Sequence, residues 1–172
     1  STLSEPDAPD NAYATALTQL IKLLTTPHDQ RVFGLVGAAG SGKSEMARTV
    51  LREMRDKYPG HPVVLVELTT PFDLVDFCNS LLMDMGRHDL LTLDIGRKKQ
   101  RLKQLMQQPN QVVIIDEGYS EHLANPDIIH EVRDVLHGAR VLLVARHLPP
   151  YQYYELALPG FNAEQVRAFL VE

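Results

Sequence analysis

A three-layer α/β domain, with one parallel sheet between two helical layers, is the fold class this sequence predicts, and three observations predict it. Short β-branched apolar runs recur along the chain: RVFGLV (31–36), PVVLVEL (62–68), QVVIIDE (111–117) and RVLLVAR (140–146). Stretches with apolar residues at helical spacing separate them, so successive strands need crossovers and run parallel. The runs are continuous rather than alternating, as in strands buried on both faces. With 172 residues, the chain is long enough for one domain with a full core.

The elements follow in order. Residues 1–10 hold two prolines and three acids and read as a disordered lead-in, leaving 11–172 as the folded domain. From Asn11, the residues Ala14, Leu17, Leu20, Ile21 and Leu24 recur at helical intervals until TTPHDQ breaks the pattern. Ser44 to Tyr58 reads as a helix stopped by Pro59-Gly60. Pro71 to Met85 carries Phe72, Val75, Leu81, Leu82 and Met85, suiting a helix with proline in its first turn. Ile95 to Gln108 is the next helix, closed by Pro109-Asn110. Asn125 to His137 follows, with Gly138 as its stop. YELALPG (154–160) holds a short fifth strand, and FNAEQVRAFLVE (161–172) a closing helix with Asn162 as N-cap. The chain lacks an initiator Met and its last helix has no polar tail, so it reads as a fragment of a larger multidomain protein.

Composition narrows the function. A net charge of −5 argues against broad affinity for nucleic acid. The single cysteine, Cys78, excludes an internal disulfide and a cysteine-cluster metal site; at a position in an apolar helical pattern it reads as a small core residue. No apolar run reaches the about 18 residues that span a bilayer, and the acidic N-terminus is no signal sequence. A cytoplasmic location is expected, with no membrane partner.

One stretch carries chemistry directly. Gly37-Ala38-Ala39-Gly40-Ser41-Gly42-Lys43-Ser44 matches G-x-x-x-x-G-K-[ST] in full. A chance match in a chain this long is about a one-in-two-hundred event, and this one also follows a strand and opens a helix. Glycines let successive backbone N–H groups turn inward around an anion, and the helix adds its unpaired N–H groups and positive dipole end. Lys43 is expected to reach the β and γ phosphates of ATP or ADP. The Ser44 hydroxyl would ligate Mg2+, and Glu45 extends the nucleotide-lining stretch. In VVIIDE, Asp116 and Glu117 end an apolar strand, at the sheet edge where open α/β sheets bind ligands. Asp116 would hold Mg2+, and Glu117 would deprotonate the water attacking the γ-phosphate. Arg146 ends the fourth strand at the same edge and would sense or neutralise the γ-phosphate. Lys43, Asp116, Glu117 and Arg146 are thus the candidate catalytic residues.

With these motifs in hand, residues 11–171 resemble a STAND-type nucleotide-binding domain, the branch of the AAA-like P-loop ATPases that includes NB-ARC. The resemblance rests on RVFGLVGAAGSGKSEMAR, VELTTPFDLVDFCNSLLMDMG, VVIIDEG as Walker B, RVLLVARH as the sensor strand and ELALPGFNAEQVRAFL before a helical lid. It implies a P-loop NTPase sandwich with a five-stranded sheet ordered 5-1-4-3-2 and Arg146 as sensor. It also implies a slowly hydrolysing ATP switch acting on lid and effector domains of the same chain, with nucleotide-dependent oligomerisation. The chain departs from the family at Ala145, where a hydroxyl residue usually precedes the sensor arginine, and in lacking a glycine-arginine-glutamate motif.

A DNA-associated AAA ATPase of the transposition or secretion-accessory type shares both Walker motifs. Its local support is RKKQRLK (97–103), five basic residues in seven, which otherwise reads as the solvated face of a helix with Leu102 and Leu105 turned inward. A small-molecule kinase would need a substrate pocket and an arginine-bearing lid, and no segment reads as that lid. His122, His130 and His137 lie seven to eight residues apart, not at zinc-ligand spacing. Met83, Met85 and Met106 read as core filler. PPYQYY (149–154) reads as a connection packed over the sheet edge or as a partner surface.

Overall fold

A computed structural model describes residues 9–27, 31–36, 42–68, 73–117 and 126–145 of the chain. Their elements run α1 (Pro9–Thr25), β1 (Val32–Val36), α2 (Lys43–Lys57), β2 (Val63–Leu68), α3 (Leu74–Asp84), a 3-10 turn (His88–Leu90), α4 (Ile95–Leu105), β3 (Val112–Glu117), α5 (Pro126–Val135) and β4 (Arg140–Ala145). Every strand pairing is parallel, in the order β1-β4-β3-β2. The described sheet therefore has four strands, not the five expected. Its order agrees with 5-1-4-3-2 as far as it goes, and the segment expected to supply the fifth strand, 154–160, lies outside the described residues, as does the closing helix.

The sheet is buried on both faces. On one side Phe33, Leu35, Val63, Val112, Ile114, Leu142 and Val144 pack against α1 and α2 through Leu20, Leu24, Met46, Val50 and Met54. On the other, Val64, Val66, Leu68, Val113, Ile115, Val141 and Leu143 meet α3, α4 and α5 through Phe77, Leu81, Leu82, Leu102, Val132 and Val135. Successive strand residues thus serve opposite cores, which is why the strands read as unbroken apolar runs. Cys78 is part of the second core, and burial pushes its thiol up to about 11.

Several element boundaries differ from the sequence expectations. Helix α1 begins at Pro9, inside the segment read as lead-in, and its inner face uses Ala16, whereas Ala14 is exposed. Helix α3 begins at Leu74, not at Pro71. Asp73 caps it by accepting from the Asp76 N–H, while the Asp76 carboxylate accepts from the Asp73 N–H, a reciprocal box that fixes the start. Pro71 and Phe72 lie outside the described residues. On α3 the buried stripe is Phe77, Cys78, Leu81 and Leu82; Val75 and Met83 fall on the outer face, so Met83 is 54% exposed and is not core filler. Met106 is buried as expected. Helix α4 stops at Leu105, three residues short of the expected end, and α5 stops at Val135. Gly138 then turns the chain at a φ of 103° toward β4.

The basic run on α4 is not simply a solvated face. Lys98 is buried, Lys99 pairs with Glu131, and Lys103 sits 3.2 Å from Asp134. These pairs join α4 to α5. Arg97 lies 3.7 Å from Asp94, the residue that caps α4.

Candidate functional site

Strand register builds the site. Val36 is opposite Ala145, Asp116 opposite Val144, and Leu68 opposite Glu117, so the C-terminal ends of all four strands share one edge. Helix α2 starts at that edge. Its N-cap is Gly42 at φ 91°, a left-handed conformation that glycine adopts without Cβ strain, and the first helical bond runs from the Met46 N–H to the Gly42 carbonyl at 2.9 Å. A left-handed glycine just before a helix start turns the preceding chain toward the helix N-terminus, where unpaired N–H groups and the dipole favour an anion.

Lys43 is the first residue of α2 and only 7% exposed, unusual for a lysine, and it is close enough to lower the pKa of Asp116. Ser44, half-buried, donates its hydroxyl to the Asp116 carboxylate. Burial is the largest influence on Asp116 and raises its pKa. The Ser44 hydrogen bond opposes this, Glu67 adds to the rise, and Arg48 and Lys43 lower it. Two residues distant in sequence, one from the glycine run and one from the acidic strand end, are therefore brought within hydrogen-bonding reach.

Glu45 sits in the first turn of α2 with its side chain 63% exposed and its carboxylate 4.0 Å from Arg48. A phosphate would meet its backbone N–H, not its carboxylate. Glu117 is the last residue of β3, next to Asp116 on the same edge. Gly37, Ala38, Ala39, Gly40, Ser41 and Arg146 lie outside the described residues, though Val36 and Ala145, which precede them, end their strands at this edge.

Two residues at the site were missed from sequence. Arg48, one turn beyond Ser44 on α2, donates to Glu67 at 3.2 Å, and Glu67 is the register partner of Asp116. A signal existed for both: an arginine four residues after the serine, and a lone acid near the end of the apolar strand VVLVEL.

The donor set suits a hard divalent cation. Ser44 has one donor and two lone pairs, so it can keep its bond to Asp116 while offering oxygen to an ion, and Asp116 supplies a charged oxygen beside it. Among the described residues no group of three or more His, Cys, Asp or Glu side chains could hold a metal unaided. Mg2+ needs none, since it binds through one or two protein oxygens, water and phosphate. Among the described residues no helix is long and apolar enough to cross a membrane.

No curated protein matches the chain. Among solved structures, it is similar to Drosophila ORC bound to DNA, at 14% identity and a TM-score of 0.48 over 80% of this chain and 36% of that one. It is also similar to the Pif1 helicase from Candida albicans, at 23% identity and a TM-score of 0.43 over 78% of this chain and 32% of that one. The chain thus spans about a third of either protein. The family model for the AAA domain matches residues 25–147, from the end of α1 past the end of β4 and across both acidic and glycine motifs. By that match, the chain belongs to the AAA domain family of P-loop nucleotide-binding ATPases.

Proposed function

We propose that the chain binds Mg2+–ATP at residues 37–44 and hydrolyses it slowly, as a STAND-type regulatory switch for domains joined to it. The observation that carries the nucleotide site is the contact between Ser44 and Asp116 at the C-terminal sheet edge, beside the buried Lys43. The regulatory form of the activity is supported by the sequence resemblance described above.

The chain's own groups divide the work. Backbone N–H groups of the glycine run and of the first turn of α2 would hold the phosphates, with the Lys43 ammonium placed against the β and γ oxygens. Ser44 and Asp116 would hold Mg2+. When bound, the ion supplies charge neutralisation across the β and γ phosphates. Glu117 would accept a proton from the attacking water, and Arg146 would report the γ-phosphate to a lid or neighbouring domain. ADP, lacking that phosphate, would release the contact.

Nucleic acid is not part of this reading, because Lys99 and Lys103 are already neutralised by Glu131 and Asp134. A DNA-associated ATPase would instead be indicated by salt-dependent DNA binding that is lost when Lys98, Lys99 and Arg101 are neutralised. Turnover tests the hydrolytic assignment. Glu117→Gln is expected to bind ATP as the parent does, measured by calorimetry, while phosphate release slows about 100-fold or more. Undiminished hydrolysis in that variant would remove Glu117 from the role of base.

A further inference from the structure

Helix α2 meets the sheet edge through two parallel rungs. In the first, the Ser44 hydroxyl donates to Asp116. In the second, the Arg48 guanidinium donates to Glu67 at 3.2 Å. The spacing is matched on both sides. Ser44 and Arg48 are four residues apart and lie one above the other on the helix. Glu67 and Asp116 are register partners on adjacent parallel strands, and the alternation that turns Val63 and Val112 toward α2 turns both acids to that face. Arg48 also reaches Glu45, 4.0 Å away in the first turn, so it ties the helix start to itself as well as to β2.

We infer that Arg48 and Glu67 are a positioning pair for the metal site, tying α2 to β2 beside β3 so that Ser44 and Asp116 present their oxygens to Mg2+ together. The inference rests on the Mg2+–ATP reading above. Neither residue need touch the ion. The first rung joins the two residues that would take the cation, whereas the second rung lies one turn along the helix and takes no part in ligation. It fixes the helix-to-sheet spacing on which the first rung depends. Both partners are 45% exposed, so the pair is of the ordinary solvated kind and its effect on metal binding is modest.

The test measures ATP affinity by calorimetry twice for each protein, in Mg2+ and in excess EDTA, and takes the ratio as the gain due to the metal. Arg48→Ala and Glu67→Ala are each expected to reduce that gain about fivefold. Metal-free affinity should stay near the parent's. The double variant should lose no more than either single one, because both remove the same rung. Glu67→Gln, which keeps an acceptor for Arg48, should lose less than Glu67→Ala, and it serves as the readout if the alanine variants unfold. A gain that Arg48→Ala raises and Glu67→Ala lowers would overturn the inference, since opposite signs mean the two act only through their charges. Equal losses with and without Mg2+ would also overturn it, as the mark of general damage to the fold. If the parent binds ATP in neither condition, the nucleotide reading itself fails. If it binds equally in both, that reading stands and the positioning pair falls.

Discussion

At Asp116, solvation and function pull in opposite directions. Burial raises its pKa in the folded chain above the unfolded value, and the Ser44 hydrogen bond only partly opposes this. The ionised carboxylate therefore opposes folding once pH rises through the folded-state pKa, while the protonated form at lower pH does not. Asp116→Asn should accordingly melt at a higher temperature than the parent at neutral pH in the absence of nucleotide, and the advantage should shrink as pH falls. The same variant should lose the affinity gained from Mg2+. Thermal unfolding across pH checks the first half; a lower melting temperature at neutral pH would show that the Ser44 bond outweighs burial. The residue scale was only half legible in sequence. Lys43, Ser44 and Asp116 announced themselves because phosphate chemistry dictates their types and spacing. Arg48 and Glu67 did not, because an arginine on an amphipathic helix and a glutamate near a strand end are ordinary residues until register brings them together.

Among the elements, β2 shows how an edge is managed. It is the last strand of the described sheet, and residues 63 and 65 turn backbone groups away from β3. Asp84 at the end of α3 accepts from the Leu65 N–H at 2.8 Å, and Arg55 of α2 donates to the Val63 carbonyl at 3.2 Å. The two side chains also pair with each other at 3.3 Å, blocking the edge with charge. Asp84→Ala should cost about 1 kcal/mol, lower the melting temperature by about 2–4 °C and promote concentration-dependent self-association. Light scattering and thermal unfolding check this, and no change in either would mean the edge is protected by other means. Helix existence and order were readable from apolar spacing; helix ends were less so. The start of α3 was set by the Asp73–Asp76 box rather than by Pro71, and local caps of this kind outrank a proline signal a few residues upstream. The basic run on α4 is largely solvent-facing as expected, with Lys98 buried as the exception; its ion pairs were not legible because Glu131 and Asp134 come from a helix about thirty residues away.

For the molecule as a whole, topology does the assembling. Parallel pairing places the C-terminal ends of all four described strands on one edge, so the end of β1, the acidic end of β3 and the end of β4 share it with the start of α2. The parallel sheet followed from strand type and connection rule, whereas the order came from the family resemblance, and the described strands keep that order. The fifth strand, the closing helix and Arg146 fall outside the described residues and stay as expectations from sequence. The central claim is that this edge is a nucleotide site built on Lys43, Ser44 and Asp116. Calorimetric titration of the parent and Lys43→Ala with ATP in the presence of Mg2+ tests it most directly. Saturable binding by the parent, weakened about ten- to hundredfold or more in a Lys43→Ala protein whose melting curve shows it folded, is the predicted result; equal affinity in the two proteins would contradict it.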